Sequence, residues 1–136
     1  MSNTNKEIEI IDIMKFLGKK KDKESKDIKI PENIASLDKD NFYDFIKKYP
    51  FCFIDFWAPW CQPCKQMNPR IRRLSKIFQG KVAFGKVNTQ ENQDLAKDFK
   101  VMSIPNFILF KGGKEKANLR GVQSVGEIKK VINKYI

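Results

Sequence analysis

Residues 51–65 read FCFIDFWAPWCQPCK and combine a strand pattern with a closely spaced pair of cysteines. Residues 51–57 form an apolar run interrupted by Asp55, as expected of a central strand that is covered on both faces. A helical pattern follows, so Cys61 and Cys64 stand at a strand-to-helix junction. The unpaired N–H groups and the dipole of a helix N-terminus favour a thiolate. The stretch therefore predicts a redox centre.

A cysteine pair with this spacing is also half of many zinc sites. Structural zinc takes four ligands, most often cysteine or histidine. The chain has no histidine and only one further cysteine, Cys52, so we expect neither a zinc nor an iron–sulfur site. A purely structural disulfide is disfavoured because so short a loop removes little entropy from the unfolded chain. We predict no metal and no cofactor beyond the redox-active pair Cys61 and Cys64.

Disulfide exchange requires a thiolate that is exposed enough to attack. Cys61 comes first and stands at the helix start, so it is the predicted nucleophile and is expected to be exposed. Cys64, one turn further in, is predicted to attack the mixed disulfide and release the reduced substrate. The alternative is a pair of inert cysteines. Cys52, inside the predicted strand, is expected to be a buried structural thiol.

Asp55 is the most informative carboxylate, because an ionisable residue inside an apolar run costs folding free energy. Burial should raise its pKa. A carboxyl group that titrates near neutral pH could accept a proton from Cys64. The alternative is a hydrogen-bonded core residue with no catalytic role.

Composition fits one domain with an appendage: the chain has 136 residues, 41% of them hydrophobic, and a net charge of +11. No apolar stretch approaches the length that spans a membrane. Three cysteines, two of them in a catalytic pattern, fit a reducing compartment, so we expect a cytoplasmic protein. We also predict a monomer. No nucleic-acid-binding motif is visible and the basic residues are spread along the chain, so no nucleic acid partner is expected.

Residues 1–30 are interpreted as an N-terminal extension and residues 31–136 as the domain. Apolar residues at helical spacing predict an amphipathic helix over residues 10–17, and residues 19–27 form a lysine-rich linker. Charges interrupt the apolar segment, which argues against a secretory signal peptide. We favour a short helix that docks on its own domain or frays. A docking site for a partner protein ranks second, and a membrane-surface helix ranks last.

The remaining pattern predicts an α/β fold with a mixed central sheet flanked by helices on both faces. Strands are predicted at 33–37, 51–57, 82–88, 107–110 and 114–119, the last two joined by a glycine turn. Helices are predicted at 38–48, 61–79 and 91–99, and a final one begins at 124. Asp38 is the predicted N-cap of the first helix, which should bury Phe42, Phe45 and Ile46. Leu95 and Phe99 should be buried by the helix at 91–99, and residues 124–127, SVGE, form a capping box.

The segment 53–65 closely resembles the active-site segment of the thioredoxin family. The resemblance continues over about residues 31–136, with further motifs in the family's order and spacing. These motifs are Pro69 inside the active-site helix, Lys86 in the next strand, Ser103-Ile104-Pro105, the hairpin at 107–114 and Gly121. The resemblance implies a thioredoxin fold.

The resemblance also implies a set of site residues. Asp55 would take the proton of Cys64 with Lys86 nearby, although Lys86 read alone could be a surface lysine. The Ile104–Pro105 bond would be cis, and the Ile104 backbone would pair with an extended substrate. The residues framing a shallow apolar groove would be Trp57, Trp60, Ile104, Pro105 and Gly121.

The residues between the cysteines tune the reduction potential in the resembled family. Pro63, before the second cysteine, is typical of reducing members, whereas Gln62 departs from the more common glycine. Asn106 is a second departure, since threonine is common there. The resemblance implies a reductase of disulfide-containing proteins that a separate reductase supplies with electrons. An oxidase or isomerase of the same fold and a non-catalytic binding module remain the alternatives.

Overall fold

The computed structural model describes residues 28–136, which form a five-stranded sheet with helices on both faces. The strands are β1 (Ala35–Leu37), β2 (Phe51–Trp57), β3 (Ala83–Asn88), β4 (Asn106–Lys111) and β5 (Lys114–Arg120). The helices are α1 (Phe42–Lys48), α2 (Gln62–Ile77), α3 (Gln93–Asp98) and α4 (Val125–Tyr135). The predicted helix at 10–17 and the linker at 19–27 lie outside the described residues.

The sheet is mixed, with strand order β1-β3-β2-β4-β5. β3 runs parallel to both β1 and β2, whereas β4 is antiparallel to β2 and to β5. β2 therefore lies in the middle, between β3 and β4. That position agrees with its continuous apolar sequence, because a central strand covered on both faces has no solvent side.

Each face of the sheet carries its own hydrophobic core. Apolar residues of α1 and α3 pack on one face with Cys52, Ile54 and Phe56 of β2. Apolar residues of α2 and α4 pack on the other face with Phe53. Because successive strand residues point to opposite faces, Asp55 lies on the same face as Phe53, beneath α2. The alternation of β2 thus directs this carboxylate towards the helix that begins at the cysteines.

Several predicted boundaries were wrong by a few residues at element ends. β1 begins at Ala35 and not at 33, and α1 begins at Phe42 because the side chain of Asp38 accepts the backbone N–H groups of Asp40 and Asn41 in a preceding turn. Asp38 thus caps that turn and not the helix. The predicted cap of α4 is confirmed, since Ser124 Oγ accepts the backbone N–H of Glu127 at 3.0 Å.

The burial predictions for the α1 and α3 face hold for three residues and fail for two. Phe42, Ile46 and Leu95 are buried, whereas Phe45 and Phe99 are only partly buried at the edge of that core.

Ile28 and Ile30 pack against the core of the α1 and α3 face. These two residues, which were assigned to the extension, therefore contact the folded domain. The assignment of residues 1–27 to a separate extension stays a prediction. Among residues 28–136, every helix is too short or too polar to form a membrane span.

Candidate active site

The cysteine pair lies where β2 leads into α2. β2 ends at Trp57, α2 begins at Gln62, and Cys61 is the residue that caps the helix. The sulfur atoms of Cys61 and Cys64 are joined as a disulfide, with their Cα atoms 5.3 Å apart. The backbone N–H of Cys64 donates to Sγ of Cys61 at 3.2 Å. An N–H group of the helix start therefore points at the predicted nucleophile and stabilises negative charge there.

Both cysteines are nearly buried in this disulfide form. Cys61 is 4% exposed and Cys64 is 2% exposed, so the predicted exposure of Cys61 is wrong for the oxidised protein. Trp57, Ala58 and Ile104 pack around the pair and cover it. The two cysteines have nearly the same small exposed area, but of the two only Cys61 lines an open groove. A substrate would reach Cys61 through that groove.

The groove beside Cys61 has a volume of about 560 Å³. Trp60 and Ile104, two of the residues predicted to frame it, line this groove, and so do Gln62 and Pro63 between the cysteines, which are also predicted to contact the substrate. Trp60 is 68% exposed, although tryptophan is usually well buried. A large apolar surface left open beside a reactive disulfide suits the binding of an apolar segment of another chain.

The groove is also lined by three residues that carry no sequence prediction, Thr89, Val101 and Met102, and by Ser103 of the predicted cis-proline segment. Met102 is 87% exposed. Its one sequence signal is an apolar side chain inside a loop that leads to Pro105. Thr89 lies at the groove because its Oγ1 and its N–H both donate to the carbonyl of Trp57 at the end of the sheet. This contact joins distant segments, so no local sequence pattern indicates it.

The loop before β4 brings a backbone carbonyl close to the disulfide. The Ile104–Pro105 bond is cis, as the resemblance implied, and the carbonyl oxygen of Ile104 lies 3.8 Å from Sγ of Cys61. The N–H of Gly121 donates to the Pro105 carbonyl at 2.8 Å. Gly121 has φ of +82°, a conformation that favours glycine. Pro105 and Gly121 therefore hold the Ile104 loop in place and do not line the groove itself.

Asp55 is buried beneath the active-site helix. It is 1% exposed, and neither of its carboxyl oxygens has a hydrogen-bond partner among residues 28–136. Loss of solvent raises the pKa of Asp55 to about 7, and the positive charge of Lys86 opposes that rise. The alternative of a hydrogen-bonded core residue does not fit an unpartnered carboxyl. A group that titrates near neutral pH can both accept and return a proton.

Lys86 lies opposite Asp55 in the register of β2 and β3. Its ammonium group does not bond to the carboxyl but donates to Oδ1 of Asn68 at 2.8 Å. The same ammonium lies 5.0 Å from the centre of the Trp57 ring, within the range of a cation–π contact. Trp57 and Asn68 thus hold Lys86 within electrostatic reach of Asp55. Trp57 packs against the disulfide and does not line the groove.

Comparison with known proteins agrees with this geometry. The family model described as thioredoxin matches residues 33–134. This chain belongs to the thioredoxin family. The match covers the sheet from β1 to β5 and most of the last helix, together with both cysteines and the loop that contains the cis-proline.

Individual thioredoxins show how far the likeness extends. Thioredoxin from Rickettsia conorii is 42% identical over 83 residues, which are 61% of this chain and 79% of that protein. Thioredoxin M4, chloroplastic, from Arabidopsis thaliana is 37% identical over 83 residues, 61% of this chain and 43% of that protein. The chain therefore spans about half the length of the chloroplastic relatives that it matches.

A solved structure of a mutant thioredoxin from Halobacterium salinarum superimposes with a TM-score of 0.73 at 27% identity. The superposition covers 78% of this chain and 93% of that chain. The thioredoxin fold predicted from the sequence is confirmed.

Two polar or reactive residues of this thioredoxin domain lie on the other face of the sheet, away from α2. Cys52 is fully buried as predicted, and burial raises the pKa of its thiol to about 12. Asn106, at the position where threonine is common, is also fully buried and donates to the carbonyl of Leu119. Asn106 thereby joins β4 to β5 directly after the cis-proline, whereas the thiol of Cys52 is too protonated to react near neutral pH.

The helix-capped position of Cys61 predicts unequal reactivity in the reduced protein. Iodoacetamide should alkylate Cys61 at least about tenfold faster than Cys64 at pH 7, because only the sulfur of Cys61 faces the groove and accepts a helix N–H. Peptide mass mapping of partly alkylated protein measures both rates, and Cys52 should stay unmodified as the internal control. Equal rates, or faster modification of Cys64, would contradict the assigned order of attack.

Proposed function

We propose that this chain is a protein disulfide reductase that works by dithiol–disulfide exchange. The observation that carries the proposal is the disulfide at the start of α2, with the N–H of Cys64 directed at Sγ of Cys61 in the wall of an open groove. Helix N–H donors favour the thiolate that disulfide exchange requires. The groove supplies access for an extended segment of the substrate.

The proposed reaction has two exchange steps. In the reduced protein, the Cys61 thiolate attacks one sulfur of a substrate disulfide, forms a mixed disulfide and expels the other substrate sulfur as a thiolate. Cys64 then loses its proton and attacks Sγ of Cys61, which releases the second substrate thiolate. The substrate gains two electrons and two protons, and Cys61 and Cys64 end as the disulfide seen in the structure.

Asp55 is proposed to accept the proton of Cys64 in the second step. A carboxyl with a pKa of about 7 is ionised in a large fraction of molecules near neutral pH, yet remains basic enough to take a thiol proton. Lys86 is proposed to keep that fraction high, because its charge favours the carboxylate.

The groove residues are proposed to bind the substrate. Trp60, Gln62 and Pro63 would contact one side of an extended segment, and the backbone of Ile104 would pair with it on the other. Pro105, Gly121 and Trp57 would support these contacts from behind. No cofactor beyond the disulfide is required, and no group of three or more potential metal ligands gathers within residues 28–136.

The partners follow from the same chemistry. We propose that disulfide-containing proteins are the substrates and that a separate reductase returns electrons to the Cys61–Cys64 disulfide. We further propose that the protein works in the cytoplasm as a monomer, without nucleic acid partners. Contact with a membrane surface through the N-terminal extension remains the last-ranked alternative.

Insulin reduction tests the proposed activity. The full chain should accelerate the precipitation of insulin by dithiothreitol, and a Cys52→Ala variant should do so equally well because Cys52 takes no part. The Cys61–Cys64 couple should have a reduction potential near that of reducing thioredoxins, about −270 mV. A potential near about −120 mV would instead assign an oxidase. Failure to reduce insulin would indicate a binding module.

A further inference from the structure

The excess positive charge of the folded domain is concentrated on one face of the sheet. α2 has five basic residues and no acidic residue, and α4 has three lysines and one glutamate. α1 has two lysines and one aspartate, whereas α3 has one lysine and two aspartates, so the charges of the opposite face cancel. The two sides of one small domain therefore differ strongly in electrostatic potential.

The charged side chains of α2 and α4 lie on the same side of the sheet, because the two helices pack against each other there. Arg70 is half-buried and donates to the carbonyl of Gln123 at 2.7 Å, so it is used within the fold. The other basic side chains are exposed, and we call them the basic face: Lys65, Arg72, Arg73, Lys76, Lys129, Lys130 and Lys134.

The basic face begins at the redox site. Lys65 follows Cys64 directly, and Lys65, Arg72 and Lys76 recur at helical spacing along one side of α2. Eleven residues of helix correspond to about 16 Å. A partner that places its disulfide at Cys61 could therefore extend along this row of charges, well within reach of a second contact.

This concentration of charge does not serve the stability of the helices. Arg72 and Lys76 are four residues apart on α2, and Lys130 and Lys134 are four apart on α4. Like charges at this spacing destabilise a helix by about 0.2–0.5 kcal/mol per pair, where an acidic residue would stabilise it by a similar amount. A solubilising surface would mix both signs of charge, as α1 and α3 do.

We propose that the basic face docks carboxylate-rich surfaces that lie next to the disulfide of a protein substrate. The inference rests on the proposed reductase function and adds the substrate class to it. Charge complementarity of this kind mainly raises the rate of association and selects among partners. A membrane surface fits less well, because the exposed large apolar side chains of α2 and the end of α4 are few, Ile77 and Ile136, while Trp60 and Met102 belong to the groove.

The test compares peptides with one disulfide and tails of opposite charge. Each peptide carries a tail of eight residues, either glutamate, lysine or serine, which extends to about 26 Å. The reduced full chain should reduce the glutamate peptide about tenfold faster than the lysine peptide at low salt, and 0.5 M NaCl should remove most of this difference. The rates come from stopped-flow measurements of the second-order reaction.

A charge-reversal pair supplies the matched control. Arg72→Glu with Lys76→Glu changes the basic face, and Lys47→Glu with Lys97→Glu makes the same change on the exposed opposite side. The first variant should lower the ratio of glutamate to lysine rates about tenfold, whereas the second should change it less than twofold. Both variants should reduce the serine peptide at the wild-type rate.

The possible outcomes separate the two proposals. Equal ratios in the two variants, or no preference for the glutamate peptide at low salt, would overturn the docking inference while leaving the reductase function standing. Failure to reduce even the serine peptide would overturn the reductase function itself. Binding of the wild type to phosphatidylserine vesicles that is lost in the first variant, without a change in the peptide ratio, would assign the face to a membrane and overturn the inference.

Discussion

A Cys64→Ser variant should accumulate a covalent mixed disulfide between Cys61 and insulin, while its catalytic turnover falls by more than about a thousandfold. The structure places only Cys61 in the groove wall and directs a helix N–H at its sulfur. Attack by Cys61 should therefore survive the substitution. Release requires a second sulfur one helical turn away, and serine cannot take its place because its hydroxyl ionises too weakly to displace a thiolate.

Non-reducing gels and mass spectrometry of the trapped species would measure this effect. A Cys61→Ser variant should lose both turnover and trapping, and a Cys52→Ala variant should keep full turnover and trap nothing. The result that contradicts the assignment is a mixed disulfide on Cys64 in the Cys61→Ser protein. Trapping with both single variants would mean that both thiols are accessible in the reduced state.

The parts of the fold that the sequence predicted are those set by local patterns. β2 was predicted with its observed bounds, because a continuous apolar run of that length is buried on both sides only as a central strand covered on both faces. Asp55 was identified for the same reason, since a carboxylate in such a run cannot avoid burial. The cap at Ser124 was predicted because capping depends on a side chain and a backbone group three residues apart.

The parts that the sequence did not predict depend on contacts between distant segments. Asn68 holds the ammonium of Lys86 across 18 residues of sequence, and no local pattern marks that pair. Val101 and Met102 also line the groove, and their placement follows from how α3 leads into β4. Aspartate is a preferred N-cap residue, yet the side chain of Asp38 accepts a backbone N–H within a tight turn that precedes the helix. Aspartate side chains commonly form such local hydrogen bonds in place of a helix cap.

The exposure of Cys61 shows a different kind of error. The chemistry of disulfide exchange requires access, but the sequence does not reveal that Trp57 and Ile104 close over the oxidised pair. Reactivity at this site thus depends on the direction of one sulfur and not on its exposed area. In the proposed reaction, a substrate disulfide would reach Sγ of Cys61 through the groove, beside Ile104, once the pair has been reduced.

An Asp55→Asn variant should be more stable than the wild type at pH 8 but nearly equal to it at pH 4. The pKa of Asp55 rises from 3.8 to about 7 on folding, chiefly through loss of solvent. Between these values the folded state binds more protons than the unfolded state, so the stability of the wild type falls as pH rises through this window. Asparagine removes that penalty, which above pH 7 is on the order of a few kcal/mol.

The same substitution should slow the release of substrate. Without Asp55, the resolution of the mixed disulfide by Cys64 should fall about a hundredfold near neutral pH, the usual effect of removing a general base. The wild-type rate should rise as pH increases through about 7, when Asp55 ionises, and the variant should lack that rise. Single-turnover reduction of insulin from pH 5 to 9 measures the profile, and urea unfolding of the oxidised protein measures the stability without titration of Cys61 and Cys64.

Two further variants make the assignment of Asp55 specific. Asp44→Asn removes an exposed carboxylate from the first turn of α1, so it should lower stability at pH 8 by at most about 1 kcal/mol and leave the pH profile of resolution unchanged. Lys86→Met removes the positive charge that opposes the rise in the Asp55 pKa. In this variant the increase of the resolution rate with pH should therefore occur at a higher pH than in the wild type. If Asp55→Asn leaves both the stability difference between pH 4 and pH 8 and the resolution rate unchanged, Asp55 is not the proton acceptor. If the increase of the resolution rate occurs at a lower pH in Lys86→Met than in the wild type, Lys86 does not act on this carboxyl through its charge.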